Sequence, residues 1–203
     1  MNKFIGSAIM VAALLVFSPA SQAQDFRFYA GGGIGAFGLE YKEPGFSQKN
    51  TVFGGFGKFG ADIGDYFGAE LRIGATSTGT TSYPAGTLGG TIPFDVSLSD
   101  DYFFSYLAKL QYPVAQDFRA YAMVGGTTAK IKRKLSVPIP GIGTLINDSA
   151  TKTGVSFGFG AEYNISDVLS VGGEWMQYLL NVNLGPQIEG SMWGAVGTLA
   201  YHF

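Results

Sequence analysis

The chain ends on a run in which two kinds of residue take turns. From Trp193 to Phe203 the odd positions are Trp193, Ala195, Gly197, Leu199, Tyr201 and Phe203; the even ones are Gly194, Val196, Thr198, Ala200 and His202. Successive side chains of a β-strand point to opposite faces, so this spacing predicts a strand with one apolar face and one small or polar face. Segment 66–76 repeats the pattern, setting Phe67, Ala69, Leu71 and Ile73 against Glu70 and Arg72. Segment 102–112 sets Phe104, Tyr106, Ala108 and Leu110 against Ser105, Lys109 and Gln111. Segment 155–163 sets Val155, Phe157 and Phe159 against Ser156 and Glu162. Segments 26–40, 51–62, 118–131 and 168–181 are richer in glycine and less regular, but of similar length. Each of the eight is long enough to cross an apolar band ~25 Å tall at the tilt usual for barrel strands.

The connections between these strands alternate in length. Residues 62–65, 113–117 and 164–167 read as short polar turns, and about 42–50, 77–100, 132–152 and 182–190 as longer loops. An up-and-down barrel threaded through a membrane from one side produces that asymmetry. A soluble eight-stranded barrel would share the strand count but turn its large residues inward. The aromatic positions favour the membrane version: Tyr112, Tyr163, Tyr201 and Phe203 lie at the turn-side ends of their strands, and Trp193 lies near the loop side. Rings gather in this way at the two interfaces of a bilayer. The expected fold is therefore all-β, an eight-stranded antiparallel up-and-down transmembrane β-barrel over residues 24–203.

The first 23 residues stand apart. Lys3, the apolar stretch from Phe4 to Phe17, and Ser21, Gln22 and Ala23 form the tripartite pattern of a cleaved secretory signal peptide. The apolar stretch is too short for a comfortable membrane-spanning helix, and Pro19 closes it. Composition narrows the chemistry further. Cysteine is absent and there is one histidine, so disulfides, thiol nucleophiles and multi-histidine metal sites are excluded. Charged residues make up only 14% of the chain, and a net charge of −2 gives no reason to expect nucleic acid.

Four stretches carry a family likeness: Phe28–Gly35 (FYAGGGIG), Phe67–Arg72 (FGAELR), Val171–Trp175 (VGGEW) and the terminal Tyr201–Phe203 (YHF). With them the chain resembles the small outer-membrane β-barrel proteins of the OmpA/OmpX type. The resemblance implies a Gram-negative outer-membrane location and a scaffold role in adhesion, surface protection or anchoring. It also implies that Tyr201 and Phe203 form the signal read by the outer-membrane assembly machinery. The peptidoglycan-binding domain of the longer members finds no counterpart in the chain.

The charged residues define the candidate sites. Lys58, Glu70, Arg72, Lys109, Arg119, Glu162 and Glu174 fall on the inferred inner face, in a lumen just wide enough for side chains to fill. A turn centred near Gly64 sets Lys58 opposite Glu70; one centred at Ala115 sets Gln111 opposite Arg119 and Lys109 opposite Tyr121. Buried charges must pair, so these residues are expected to form a structural ion-pair plug, the alternative being a narrow pore for small solutes or ions. Lys130, Lys132, Arg133 and Lys134 cluster where the fifth strand leaves the membrane. They either hold lipopolysaccharide phosphates or simply keep the strand end in water. The loops could carry a host or surface ligand. Asp95, Asp100 and Asp101 lack the spacing of a calcium loop, and no metal or other cofactor is expected. His202, the one histidine, falls at the periplasmic end, far from lipid A, so a lipid A-modifying enzyme is not expected. The expected protein is a monomeric surface scaffold in outer-membrane lipid.

As a terminal signal Phe203 acts before insertion, whereas one interfacial ring adds little to a closed barrel. Deleting it should lower the amount of protein reaching the outer membrane and leave the melting temperature of barrel already inserted unchanged. Fractionation and detergent melts measure the two separately.

Overall fold

The computed structural model describes residues 26–87, 92–137, 143–185 and 187–203. The expected signal peptide lies outside them. The strands are β1 (Phe26–Glu43), β2 (Phe46–Ile63), β3 (Phe67–Thr76), β4 (Gly79–Tyr83) and β5 (Phe94–Ala115), then β6 (Phe118–Val137), β7 (Gly143–Asn164), β8 (Leu169–Gly185) and β9 (Ile188–His202). Neighbours are antiparallel, and the pairings β3–β5 and β1–β9 close a ring of eight, β1-β2-β3-β5-β6-β7-β8-β9. The ninth strand, β4, continues the line of β3 along the upper part of β5. Closure leaves no edge within the ring of eight, so each of its strands finds backbone partners on both sides, as the interior of a bilayer demands, while β4 pairs with β5 alone. Among the described residues no helix is long and apolar enough to cross a membrane.

Alternation decides what faces where. Outward positions within the belt are apolar and exposed, among them Phe59, Leu71, Ile73, Leu110, Phe159 and Leu199. Tyr112, Tyr163, Tyr201 and Phe203 are exposed at the turn-side rim. Inward positions on the same strands are buried and carry most of the charge, including Lys58, Glu70, Arg72, Lys109, Glu162 and Glu174.

The long loops expected at 42–50, 77–100, 132–152 and 182–190 are instead mostly strand. β1 and β2 stay paired up to Glu43 and Phe46, joined through Pro44 and Gly45, and Gly45 takes the left-handed φ of 80° that this tight turn needs. β4 and β5 pair to Tyr83 and Phe94, β6 and β7 to Val137 and Gly143, and β8 and β9 to Gly185 and Ile188. The reason is a change of solvent. Above the belt Glu40, Lys42, Lys49, Lys132 and Lys134 point outward into water, while Leu39, Tyr41, Val96, Leu98 and Val182 pack inside. Alternation continues with its faces exchanged, and loss of the greasy outer face mimics a loop. The barrel therefore carries a folded rim with an apolar core.

The two turn centres also sit one residue later than the spacing predicts. Lys58 stands opposite Arg72 and Gly60 opposite Glu70; Lys109 stands opposite Met123 and Gln111 opposite Tyr121. The β2–β3 turn takes in Tyr66 along with Gly64 and Asp65, and β5 runs on through Pro113 to Ala115.

A β-bulge marks the seam between membrane and rim. Asp100 pairs with Ile131 but Phe103 with Ala129, so the side-chain parity of β5 changes between them. Asp100 and Phe103 both face inward and are fully buried, while Tyr102 is exposed. Neither carboxylate oxygen of Asp100 receives a well-formed hydrogen bond, the Lys130 backbone amide making only a weak approach. Burial first, and then the charge of Asp101, pushes its pKa up to about 7, with the Lys130 backbone amide offsetting the rise only in part. The folded state thus keeps a proton that the unfolded chain releases near pH 4. This contribution to stability is complete below that pH and is lost as pH rises through 7. The melting temperature of the barrel in detergent should therefore fall between pH 5 and pH 8, and Asp100→Asn should flatten that fall. The effect is bounded by about 4 kcal/mol.

Candidate functional site

The lumen is built in layers. At the periplasmic end, Asp62 of β2 accepts from Lys109 of β5 at 3.3 Å and from Arg119 of β6 at 3.3 Å. Arg119 also donates to Glu162 of β7 at 2.7 Å. His202 of β9 lies 3.8 Å from Glu162 and 3.0 Å from the Ser170 hydroxyl of β8. Sequence spacing alone puts Asp62 in a turn, although it shares the inward parity of Lys58.

One layer higher sits Arg72 of β3, 1% exposed. Its Nε donates to Glu70 at 2.5 Å, and its two terminal nitrogens engage both oxygens of Glu174 on β8, the second at 2.9 Å. The guanidinium lies 4.4 Å from the centre of the Phe56 ring and donates to the Tyr178 hydroxyl at 3.1 Å. Lys58 reaches Glu70 at 3.8 Å. Tyr29 and Tyr121 donate their hydroxyls to Glu70 and Glu174 at 2.7 and 3.1 Å. The seven expected lumen residues thus divide into two contiguous layers, with Lys58, Glu70, Arg72 and Glu174 above and Lys109, Arg119 and Glu162 below. The tyrosines carry no sequence signal beyond their parity, since a phenol suits either face of a barrel wall.

Above the ions the lumen turns apolar. Phe37, Phe103 and Tyr178 pack at ring separations of 4.9 to 5.9 Å, with Met176 and Met192 fully buried in the same cluster. Small solutes meet charge-paired side chains from one end and a hydrocarbon layer from the other.

The basic cluster divides between the two faces. Lys130 and Lys132 point outward and share Asp101, at 3.8 and 2.6 Å, and Lys134 follows on the same exposed face. Arg133, of opposite parity, turns inward to the Tyr41 hydroxyl at 2.5 Å and to Glu43 at 4.0 Å. The terminal rings of Tyr201 and Phe203 lie 5.9 Å apart on the outer wall, and the Phe203 amide donates to the Phe28 carbonyl at 3.0 Å.

Among the described residues Ser170 and His202 form a pairing that suggests a nucleophile and base, but they do not form a catalytic triad. Glu162 approaches the same ring nitrogen as Ser170, while Nδ1 is buried without a partner, and the Ser170 hydroxyl is fully enclosed. Among the described residues no group of three or more side chains could hold a metal ion.

A closed antiparallel ring with a lipid-facing wall and a polar, filled interior defines a membrane-spanning β-barrel. A family model described as the outer membrane protein beta-barrel domain matches residues 8–203. The chain belongs to that family of outer-membrane barrels. Three solved structures show the same fold. A major outer membrane protein from Thermus thermophilus aligns at 15% identity and TM-score 0.60, over 88% of this chain and 100% of that one. Ail, the attachment invasion locus protein of Yersinia pestis, aligns at 16% and 0.50, over 86% and 98%. The N-terminal barrel of Pseudomonas aeruginosa OprF aligns at 15% and 0.50, over 90% and 100%. No curated protein sequence matches.

Truncating Glu70 leaves Arg72 and Lys58 each short of a carboxylate in a dry lumen. Glu70→Ala should cost about 3–5 kcal/mol, read as a lower temperature at which the folded band converts to the unfolded one after heating.

Proposed function

We propose that the protein is a non-conducting outer-membrane scaffold that holds a folded rim at the cell surface for adhesion or other surface contact. The observation that carries this reading is the continuous filling of the lumen, ionic around Arg72 and apolar around Phe103. A filled barrel has no transport path, and what it offers the outside is the rim. The outward Lys130, Lys132 and Lys134 suit the phosphates of lipopolysaccharide, and Arg133 serves to close the rim instead. Tyr201 and Phe203 serve as the assembly signal, the barrel works as a monomer, and no catalytic step is assigned to it. The narrow-pore alternative needs a lumen that opens.

Two measurements test the proposal. In planar bilayers the barrel should give no large steady conductance; stable channels would put the pore in its place. Replacing residues 79–94 by a tight turn removes β4 and leaves the ring of eight intact. Cells displaying that variant should attach to surfaces less well than cells displaying the full rim, and unchanged attachment would refute the rim's role.

A further inference from the structure

The wall of a barrel in lipid is normally a carpet of large apolar side chains. On one side of this barrel the carpet thins along an oblique track, where glycines stand between the exposed Ile73, Ile34 and Leu199. Ile73, Gly57, Gly32 and Leu199 are successive cross-strand partners on β3, β2, β1 and β9. Ala75, Gly55, Ile34, Gly197 and Gly173 form the adjacent row. These positions, Gly173 excepted, line an open groove of about 880 Å³ that reaches Asp101 and Tyr102 at its upper end. Larger outward residues stand on both sides, Leu71, Phe59 and Tyr201 below and Phe53 and Trp175 above. Cross-strand rows run perpendicular to strands that tilt through the bilayer, so the groove descends from the outer interface at Tyr102 to Leu199, just above Tyr201. Four strand spacings give it a length of about 19 Å.

The protein's own packing requires only part of this gap: a Cβ at Gly32 would stand 2.7 Å from the Phe56 carbonyl and one at Gly55 3.0 Å from the Gly33 carbonyl. A Cβ built at Gly57 would meet nothing closer than the Gly31 carbonyl at 4.0 Å, and one at Gly197 would meet nothing within 4 Å. At Gly57 and Gly197, then, a side chain has room to start, and packing within the protein does not account for its absence. The head of the groove is charged. Asp101, which lines the groove, is held by Lys132 and Lys130, and Lys134 continues the same outward row. Three lysines against one carboxylate leave a cationic head on an apolar track. The lysines alternate along one strand over about 13 Å, a span that suits a headgroup carrying two phosphates better than one carrying a single phosphate.

We infer that this groove and lysine row form one binding site for a molecule of lipid A, with phosphates on Lys130, Lys132 and Lys134 and an acyl chain laid over Gly57 and Gly197. The inference rests on the lipopolysaccharide contact proposed above and adds the chain site to it. Native mass spectrometry of the folded barrel in detergent, titrated with bis-phosphorylated lipid A and with phosphatidylglycerol, tests it. The unaltered protein should retain one lipid A with about tenfold preference over phosphatidylglycerol, equivalent to ~1.4 kcal/mol. Replacing all three lysines by glutamine should remove the preference. Gly57→Leu with Gly197→Leu should weaken lipid A binding about tenfold although the lysines are untouched. If that pair fails to fold, shown by loss of heat modifiability, Gly57→Ala with Gly197→Ala narrows the same groove and should weaken binding to a smaller degree. Loss with the lysine variant but none with either glycine variant overturns the groove and spares the headgroup contact. Equal retention of phosphatidylglycerol overturns recognition of lipid A, and both results leave the conductance and attachment tests of the scaffold unaffected.

Discussion

A guanidinium taken almost completely out of water constrains the rest of this barrel. Removing an ion from water costs several kcal/mol, and the cost is met only by carboxylates placed in good geometry with their remaining lone pairs satisfied. For Arg72 those carboxylates are Glu70 on its own strand and Glu174 on β8, which stands diametrically opposite β3 in the ring. The pair therefore spans the lumen. Arg119 repeats the device lower down, bridging Asp62 on β2 and Glu162 on β7. Opposing walls are tied at a fixed separation, and the ties occupy the space through which solutes would pass. Closure of the lumen and its mechanical bracing are thus one arrangement seen in two ways.

The second organising fact is that one chain serves two solvents. Within the bilayer the large side chains face out and the charges face in; above it lysines and glutamates face out and Leu39, Leu98 and Val182 face in. The bulge at Asp100–Phe103 sits at this seam and lets β5 present both Asp101 and Tyr102 to the outside. The extracellular part is consequently a paired, cored extension of the barrel. A rim of this kind offers a fixed surface to a partner, with less ordering entropy to lose on binding than free loops would have.

Much of this is legible in the residues, because alternation is a strong signal wherever one face must be greasy. Strands such as 102–112 and 193–203 and the inward set Glu70, Arg72, Lys109, Glu162 and Glu174 follow from parity alone. Parity does not fix register, however: a turn centred one residue later moves every partner by two, which is why Lys58 faces Arg72 and reaches Glu70 only on the diagonal. The rim escapes such a reading because its outward residues are polar, and polarity without a greasy counterpart reads as loop. Arg133 separates from Lys130, Lys132 and Lys134 once the strand is carried through 132–137, since it alone of the four holds the inward parity. The tyrosines that complete the ionic layers cannot be chosen from sequence, because the wall uses tyrosine on both faces.

The claim that cross-lumen ion pairing holds the walls together is tested most directly by a double-mutant cycle on Arg72→Met and Glu174→Gln, followed by denaturant unfolding in detergent. Each single change strands a charge and should be strongly destabilising, while the double change strands less. The coupling energy should then exceed by severalfold the ~1 kcal/mol at most of an exposed pair. Additive effects, with a coupling near zero, would show that the two residues do not act as one unit and would contradict the account.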